Sequence, residues 1–136
     1  MKKINSQICT TREQSERLLA LGVKKETADM AHTYLNRWDG YHIHEHDWSD
    51  ISCDEQHIPA WSLARLVELM PKSIYYGNLH CFLFVDQIVY VEYRCKLYGA
   101  SQTIMKQFMK SNLWENLIDC IEWLIKEGYF NKEYLV

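Results

Sequence analysis

Proline and glycine are scarce in this sequence, which has two prolines and five glycines among 136 residues. It also has no stretch rich in Ser and Gly, and no long run of charges of one sign. Linkers between domains and disordered tails usually have such compositions. Because 48% of the residues are hydrophobic, and because single domains most often contain about 100–150 residues, we expect one domain that spans residues 1–136.

Closely spaced cysteine pairs are absent, although the sequence contains five cysteines. They stand at positions 9, 53, 81, 95 and 120. An odd number of scattered cysteines cannot form a complete disulfide framework, and free thiols are typical of reducing compartments. We therefore predict five reduced cysteines and a cytoplasmic protein.

Long apolar runs and an excess of positive charge are absent too. No apolar run approaches the length of about 20 residues that a membrane-spanning helix needs, so we expect no membrane association. Fifteen Lys and Arg against eighteen Asp and Glu give a net charge of −3, which disfavours general binding to nucleic acid. The sequence contains no Gly-rich phosphate loop, no G-x-S-x-G elbow and no H-E-x-x-H motif, so the enzyme classes that use these motifs are disfavoured.

The first third of the chain has signals for two helices. Thr11 and Gln14 have the spacing of a capping box, in which each side chain satisfies a free backbone N–H of the first helical turn. This pattern predicts a helix that runs to about Leu21. Thr27 stands where it would cap a second, short helix.

Two further helices are predicted from periodicity and from the residues that flank them. Two prolines bracket residues 59–70, whose apolar residues recur at helical spacing. Residues 112–127 begin with a cap residue and are followed by Gly128, which is a common helix stop. The apolar stripe of this last helix includes Leu117 and Ile121, which we therefore expect to be buried.

Three segments have the composition of strands. Residues 79–86 and 88–98 are rich in β-branched and aromatic side chains, and residues 41–48 are a third candidate. Alternation along the second of these segments places Val91 and Tyr93 on the core face. We therefore predict an α+β fold in which a small antiparallel sheet is covered on one face by the helices at residues 59–70 and 112–127.

The stretch YHIHEHDWSD, at residues 41–50, places three histidines at alternate positions. In a straight strand the outer two would lie about 13 Å apart, which is too far for one metal ion to bind all three. Two of them could share an ion with groups from the following loop, and mixed N, O and S ligands suit zinc. The candidate metal ligands are His42, His44, Asp50, Cys53 and His57. The alternative, which we favour at this point, is an exposed polar edge strand in a protein that requires no cofactor.

A second candidate site combines aromatic and basic side chains. Aromatic rings can stack on a base while cationic groups hold a phosphate, so this composition suits a small nucleotide-like ligand. The candidate ligand-binding residues are Tyr90, Tyr93, Arg94, Lys96 and Tyr98, to which Lys106, Phe108 and Lys110 add the same chemistry. The alternative is a solvated sheet edge with core tyrosines.

Three segments resemble a known family. They read TTREQSERLLALGVKKETADM, IPAWSLARLVELMP and NLIDCIEWLIKEGYFNKEYL. This pattern is similar to that of a family of small uncharacterised proteins of gut Bacteroides-type bacteria and of their phages or integrated elements. The resemblance implies an origin from a phage or mobile element, and it assigns no catalytic or binding residue.

Three functions are therefore compatible with the sequence. The first is an accessory protein, without enzymatic activity, that binds a protein partner or a second copy of itself. It follows from the small size, the aromatic content and the resemblance. The second is a protein that binds a small nucleotide-like ligand. The third is a zinc-dependent hydrolase that uses the histidines, acidic residues and cysteine of residues 42–57.

Overall fold

The computed structural model describes residues 7–48, 57–86, 90–96, 102–110 and 112–136. The chain divides into two compact units, of which the first comprises Met1–Val67 with Tyr134–Val136 and the second comprises Glu68–Glu133. Each unit is described by itself below. The expectation of one domain over residues 1–136 stays a prediction.

The first unit contains a three-stranded antiparallel sheet. Its strands are β1 (Met30–Asn36), β2 (Gly40–Glu45) and β3 (His57–Ala60), in the order β2-β1-β3. β1 is central; it pairs with β2 along its length and with β3 over residues 30–33. The tight connection from β1 to β2 ends at Gly40, whose φ of 65° is one that L side chains rarely adopt.

Helix α1 (Arg12–Ala20) begins at the predicted capping box. The Thr11 hydroxyl accepts a hydrogen bond from the Gln14 backbone N–H at 3.1 Å, and the Gln14 side chain accepts one from the Thr11 N–H at 2.9 Å. Leu18 is buried on the inner face of the helix. The prediction of this helix is confirmed.

The core of the first unit contains Trp61, which is completely buried. Its indole N–H donates to the Thr27 hydroxyl at 2.9 Å, and its backbone N–H donates to the Thr10 hydroxyl at 3.0 Å. The chain returns to this unit near residue 135, where Leu135 forms an antiparallel bridge with Val23.

The second unit contains a four-stranded antiparallel sheet and a long helix. The strands follow one another in sequence order, and the elements are β4 (Ser73–Tyr76), β5 (Leu79–Val85), β6 (Val91–Lys96), β7 (Gln102–Phe108) and α3 (Leu113–Glu127). Helix α3 contacts β6 and β7. Val91 and Tyr93 are buried as predicted, and so are Leu117 and Ile121 on the helix.

Several predicted elements differ from those observed, although the α+β class with antiparallel sheets is confirmed. The strands form two sheets, because residues 40–45 pair with β1 rather than with the strands of the second unit. The predicted helix at Thr27 is wrong. The Thr27 hydroxyl donates to the Lys24 carbonyl at 2.7 Å and so closes a preceding 3-10 turn, after which β1 starts.

The helix predicted at residues 59–70 is shorter than expected, because α2 comprises Leu63–Leu69. Pro59 lies instead in β3, opposite Ala31. β3 is at an edge of its sheet, where a residue without an N–H is tolerated. Pro59 therefore belongs to a strand and not to the first turn of the helix.

The prediction of five reduced cysteines is wrong for two of them, because Cys81 and Cys95 form a disulfide. They stand directly opposite each other on β5 and β6, with Cα atoms 4.2 Å apart. This pairing depends on strand register, which cysteine spacing does not reveal. The thiol argument for a reducing compartment is therefore lost, and the cytoplasmic location stays a prediction. Within the described ranges, none of the helices has the length and apolarity needed to cross a bilayer.

Candidate metal centre

One face of the three-stranded sheet collects three histidines around a threonine. Thr33 lies on the central strand, directly opposite His57 of β3, while His44 lies on β2 opposite Ala31. His46 follows the end of β2, where its backbone N–H donates to the Asp29 carbonyl at 3.1 Å. Each histidine offers one ring nitrogen, and these three nitrogens lie within 4.8 Å of one another.

Hydrogen bonds around Thr33 assign the protonation of two of these rings. His44 Nδ1 lies 2.7 Å from the Glu45 carbonyl oxygen, which can only accept, so Nδ1 carries the proton and Nε2 carries the lone pair. The Thr33 hydroxyl, 2.5 Å from this Nε2, therefore donates to it. Thr33 Oγ1 then accepts from His57 Nδ1 at 2.7 Å, which leaves the lone pair of His57 on Nε2.

This arrangement is the one that metal-binding histidines use. A ligating imidazole usually donates its second N–H to a carbonyl or another acceptor, which fixes the ring and orients the lone pair towards the metal. The Glu45 carbonyl does this for His44, and the Thr33 hydroxyl does it for His57. Binding of a metal at His44 Nε2 would require the Thr33 hydroxyl proton to rotate away.

Ring packing holds the remaining side chains of the group. The rings of His46 and His57 are stacked, with centroids 4.7 Å apart and planes inclined by 25°. The Trp48 ring meets His46 edge-on at 4.7 Å, and its indole N–H donates to the Met30 carbonyl at 2.9 Å. Since Trp48 is only 4% exposed, it forms a fixed wall against which His46 packs.

The three nitrogens fit a tetrahedral zinc ion after a small adjustment. Zinc–nitrogen bonds of 2.0–2.1 Å place tetrahedral ligand nitrogens about 3.3 Å apart. The ring nitrogens lie within 4.8 Å of one another, so the side chains would have to rotate to bring them to this spacing. His44, His46 and His57 are each half-buried, so an ion could reach them from solvent.

Carboxylates lie close to this group. A concavity of about 570 Å³ beside His46 is lined by Asp29, Met30, Glu45, His46, Asp47 and Ser62. Negative charge along the wall of a cleft raises the local concentration of cations. The electrostatic surroundings therefore favour a cation at the histidines.

The structure brings together part of the metal set that the sequence predicted. His44 and His57 are in the group, whereas His42 is exposed on β2 and is not. Asp50 and Cys53 lie outside the described residues. The sequence predicted a strand over residues 41–48 and allowed two neighbouring histidines to share an ion, and the predicted set contained His42 and His44 but not His46. β2 ends at Glu45 instead, and His46 turns back beside His44 with ring centroids 5.5 Å apart.

A buried cysteine–histidine pair in the same unit does not form a nucleophile. Cys9 Sγ lies 3.9 Å from His32 Nε2, but this nitrogen is 2.7 Å from the Thr10 carbonyl and therefore carries a proton. Burial, together with the charge of Asp29, raises the pKa of the Cys9 thiol to about 11. His32 cannot act as a base through this nitrogen, and the thiol stays protonated at neutral pH.

The predicted nucleotide-binding residues do not share one surface. Arg94 donates to the Tyr90 hydroxyl at 2.6 Å and to the Glu92 carboxylate at 2.5 Å, on the face of the sheet that carries Phe84. Tyr93 lies on the opposite face, where it is buried and donates to the Pro71 carbonyl at 2.7 Å. The side chain of Lys96 and the whole of Tyr98 are outside the described residues.

No family model, curated protein or solved structure matches this chain. The resemblance to small proteins of Bacteroides-type bacteria and their phages therefore stays a prediction.

Proposed function

We propose that this protein binds a divalent transition-metal ion, with zinc as the best fit, through His44, His46 and His57. The convergence of three ring nitrogens within 4.8 Å carries the proposal. The acceptors that orient His44 and His57 support it, because a ligating imidazole usually donates its second N–H to such an acceptor. Neutral imidazole is also a preferred ligand of zinc.

Three protein ligands leave the fourth position of a tetrahedral zinc ion open. A water bound there would have its pKa lowered to about 7 and would become a nucleophile at neutral pH, as in zinc hydrolases. This supports the zinc-dependent hydrolase that the sequence allowed. The predicted ligands Asp50 and Cys53 are the alternative occupants of that position, and a protein ligand there would make the site structural.

A bound ion would also join the two edge strands of the first unit. His44 belongs to β2 and His57 to β3, and the two strands are separated by β1. A ligand that binds only the folded chain raises its stability in proportion to the logarithm of ligand concentration. Metal binding should therefore raise the melting temperature of the protein.

The test is metal analysis of protein purified without a histidine tag, with melting curves recorded before and after chelation. We expect about one zinc per chain and a melting temperature that falls by several degrees on chelation. His57→Asn should weaken zinc binding by more than about tenfold, whereas His42→Asn, on the same sheet but outside the group, should not change it. Equal losses in the two variants, or no zinc binding in the native protein, would contradict the proposal.

Thr33 provides a finer test, because it orients His57 without being a metal ligand. Thr33→Val keeps the side-chain shape but removes both the acceptor for His57 Nδ1 and the hydroxyl that occupies the lone pair of His44 Nε2. We expect the first effect to be the larger, because loss of such an orienting group typically costs about 10- to 100-fold in metal affinity. Thr33→Ser keeps the hydroxyl and should bind zinc nearly as the native protein does. The measurement is competition with a chromophoric chelator. Native affinity in the valine variant would exclude this role for Thr33.

The binding of a protein partner or of a second copy stays a prediction. What supports it is the face of the four-stranded sheet away from α3, where Phe82, Phe84 and Ile104 are exposed. Exposed apolar side chains that lie close together often mark interaction surfaces.

A further inference from the structure

A groove in the second unit lies between β7 and α3. Its volume is about 270 Å³, and its lining residues are Lys106, Gln107, Phe108, Lys110, Asp119, Glu122, Trp123 and Lys126. A second concavity, of about 240 Å³, shares Lys106 and Trp123 with it. Small-molecule sites begin at about 300 Å³, so the two concavities along Trp123 offer room for a ligand of moderate size.

Aromatic rings form the apolar wall of this groove. Trp123 packs against Phe108, Tyr93 and Tyr129, with ring centroids 6.2, 6.1 and 5.6 Å away. These contacts fix the indole, yet Trp123 and Phe108 remain half-buried and line the groove. A flat ring that enters the groove would therefore meet immobilised aromatic surfaces, which lose little conformational entropy on binding.

Positive charge predominates at the rim. Lys106, Lys110 and Lys126 are exposed, against the two carboxylates of Asp119 and Glu122. Glu122 forms an ion pair with Lys126, in which Nζ and Oε1 are 3.3 Å apart. The first concavity thus has one more cation than anion, whereas Glu127 in the second concavity makes the total over both neutral. An anionic group is therefore favoured in the first concavity, which contains Lys106 and Lys110.

A lysine and an aromatic ring also lie close together within the groove. The Lys106 ammonium group is 5.5 Å from the centroid of the Phe108 ring. A ligand with an anionic group next to a planar ring would match this arrangement, since the ammonium would bind the anion while the aromatic rings stack.

We propose that this groove binds a mononucleotide, with its base against Trp123 and Phe108 and its phosphate at Lys106 and Lys110. The site shares no residue with the histidine group, so it stands independently of the proposed metal. The sequence predicted a nucleotide site at residues 90–98, whereas the proposed site lies between β7 and α3. Trp123 and Lys126 were not in the predicted set, because only the packing of the helix on the strand brings them to the lysines.

The test is calorimetric titration of the full chain with the four common ribonucleoside monophosphates, and separately with inorganic phosphate and with the corresponding nucleosides. At least one monophosphate should bind more than about tenfold tighter than either inorganic phosphate or its nucleoside, because charge and stacking act together. No binding at millimolar concentration, or equal affinity for phosphate alone, would overturn the proposal.

Substitutions in the groove test whether the nucleotide binds there. Lys106→Gln combined with Lys110→Gln should weaken it by more than about tenfold, and Trp123→Leu should do the same while Trp123→Phe retains most of the affinity. Lys132→Gln is the matched control, because Lys132 is exposed and lies outside the groove. Circular dichroism checks that each variant is folded. If the lysine pair and Lys132→Gln give the same affinity, the nucleotide binds elsewhere and the assignment is wrong.

Discussion

Individual polar side chains in this protein are buried only with partners. Glu92 is completely buried on the second sheet, where its two carboxylate oxygens accept hydrogen bonds from Arg94 at 2.5 Å and from Gln107 at 3.0 Å. Across the described residues, every buried side-chain nitrogen and oxygen has a hydrogen-bond partner. Buried polar groups without partners would cost about 1–3 kcal/mol each.

A buried thiol should make the free energy of unfolding fall as the pH becomes alkaline. Cys120 is completely buried on α3, and this burial, with the charge of Asp119 as a smaller cause, raises its pKa to about 12. The folded state keeps the thiol neutral, whereas the unfolded chain loses the proton near the ordinary pKa of about 8.5. Cys120 therefore contributes fully to the stability of the folded state below about pH 8.5, and this contribution is lost as the pH rises towards 12.

We expect the free energy of unfolding to fall between about pH 8 and about pH 10.5, and to fall less steeply in Cys120→Ala. Denaturant unfolding at the two pH values measures both slopes. Tyr93, whose pKa is raised by burial and by the charge of Cys120, contributes the same sign in both proteins, so the difference between the slopes reports on Cys120 together with its effect on Tyr93. Identical slopes would show that the thiol is not buried in the folded state.

The sequence indicated part of the histidine group for a clear physical reason. His44 and His57 were candidates because residue type is enough to suggest metal chemistry. The same reasoning made His46 a possible partner of a neighbouring histidine, but neither the choice of His46 over His42 nor the part played by Thr33 could be predicted. Their positions depend on where β2 ends and on which strand lies between its neighbours, and pairing between strands is not encoded by local spacing.

Helix α3 packs on β6 and β7 of the second sheet. Replacing the completely buried Leu117 by Ala should lower the free energy of unfolding by about 2–5 kcal/mol, because it removes apolar contacts and leaves a cavity. Glu127→Ala, at an exposed position of the same helix, should change it by less than about 0.5 kcal/mol. Denaturant unfolding measures both values. A small effect at Leu117 would contradict the packing of α3 on the sheet.

Helix ends were easier to predict than strands. The Thr11 cap and the Gly128 stop act within one helical turn, so their sequence signals are local; Gly128 has the expected left-handed backbone, with a φ of 79°. β1, β3, β4 and β7 were missed. Met30–Asn36 contains no alternation of apolar and polar residues, and it is extended because it pairs with strands on both sides.

The described part of the chain forms two sheets where the sequence suggested one. Composition identified residues 79–86 as a strand and gave residues 41–48 as a further candidate, but it gave no information on pairing partners. β2 pairs with β1, which had been predicted as a helix, so the first sheet could not be anticipated. The overall class was still correct, since α+β follows from the kinds of element present and not from their pairing.

The oxidation state of the protein is testable by counting thiols. With five cysteines in the sequence and a disulfide between Cys81 and Cys95, denatured protein purified without reductant should have three alkylatable thiols. Reductant should raise the number to five. It should also lower the free energy of unfolding by up to about 3 kcal/mol, the value for a closed loop of about 15 residues. Five alkylated cysteines before reduction would show that the bridge does not form.

The backbone around Gly22 has a consequence for the timing of folding. The Gly22 carbonyl accepts a hydrogen bond from the Val136 N–H, and the Lys24 N–H donates to the Tyr134 carbonyl, each at 2.8 Å. During synthesis these partners leave the ribosome only after the whole second unit has been made. The first unit therefore cannot form its two backbone hydrogen bonds at Gly22 and Lys24 until the second unit has been synthesised. Nascent chains arrested before Tyr134 should be cut by protease near Gly22 faster than the released protein.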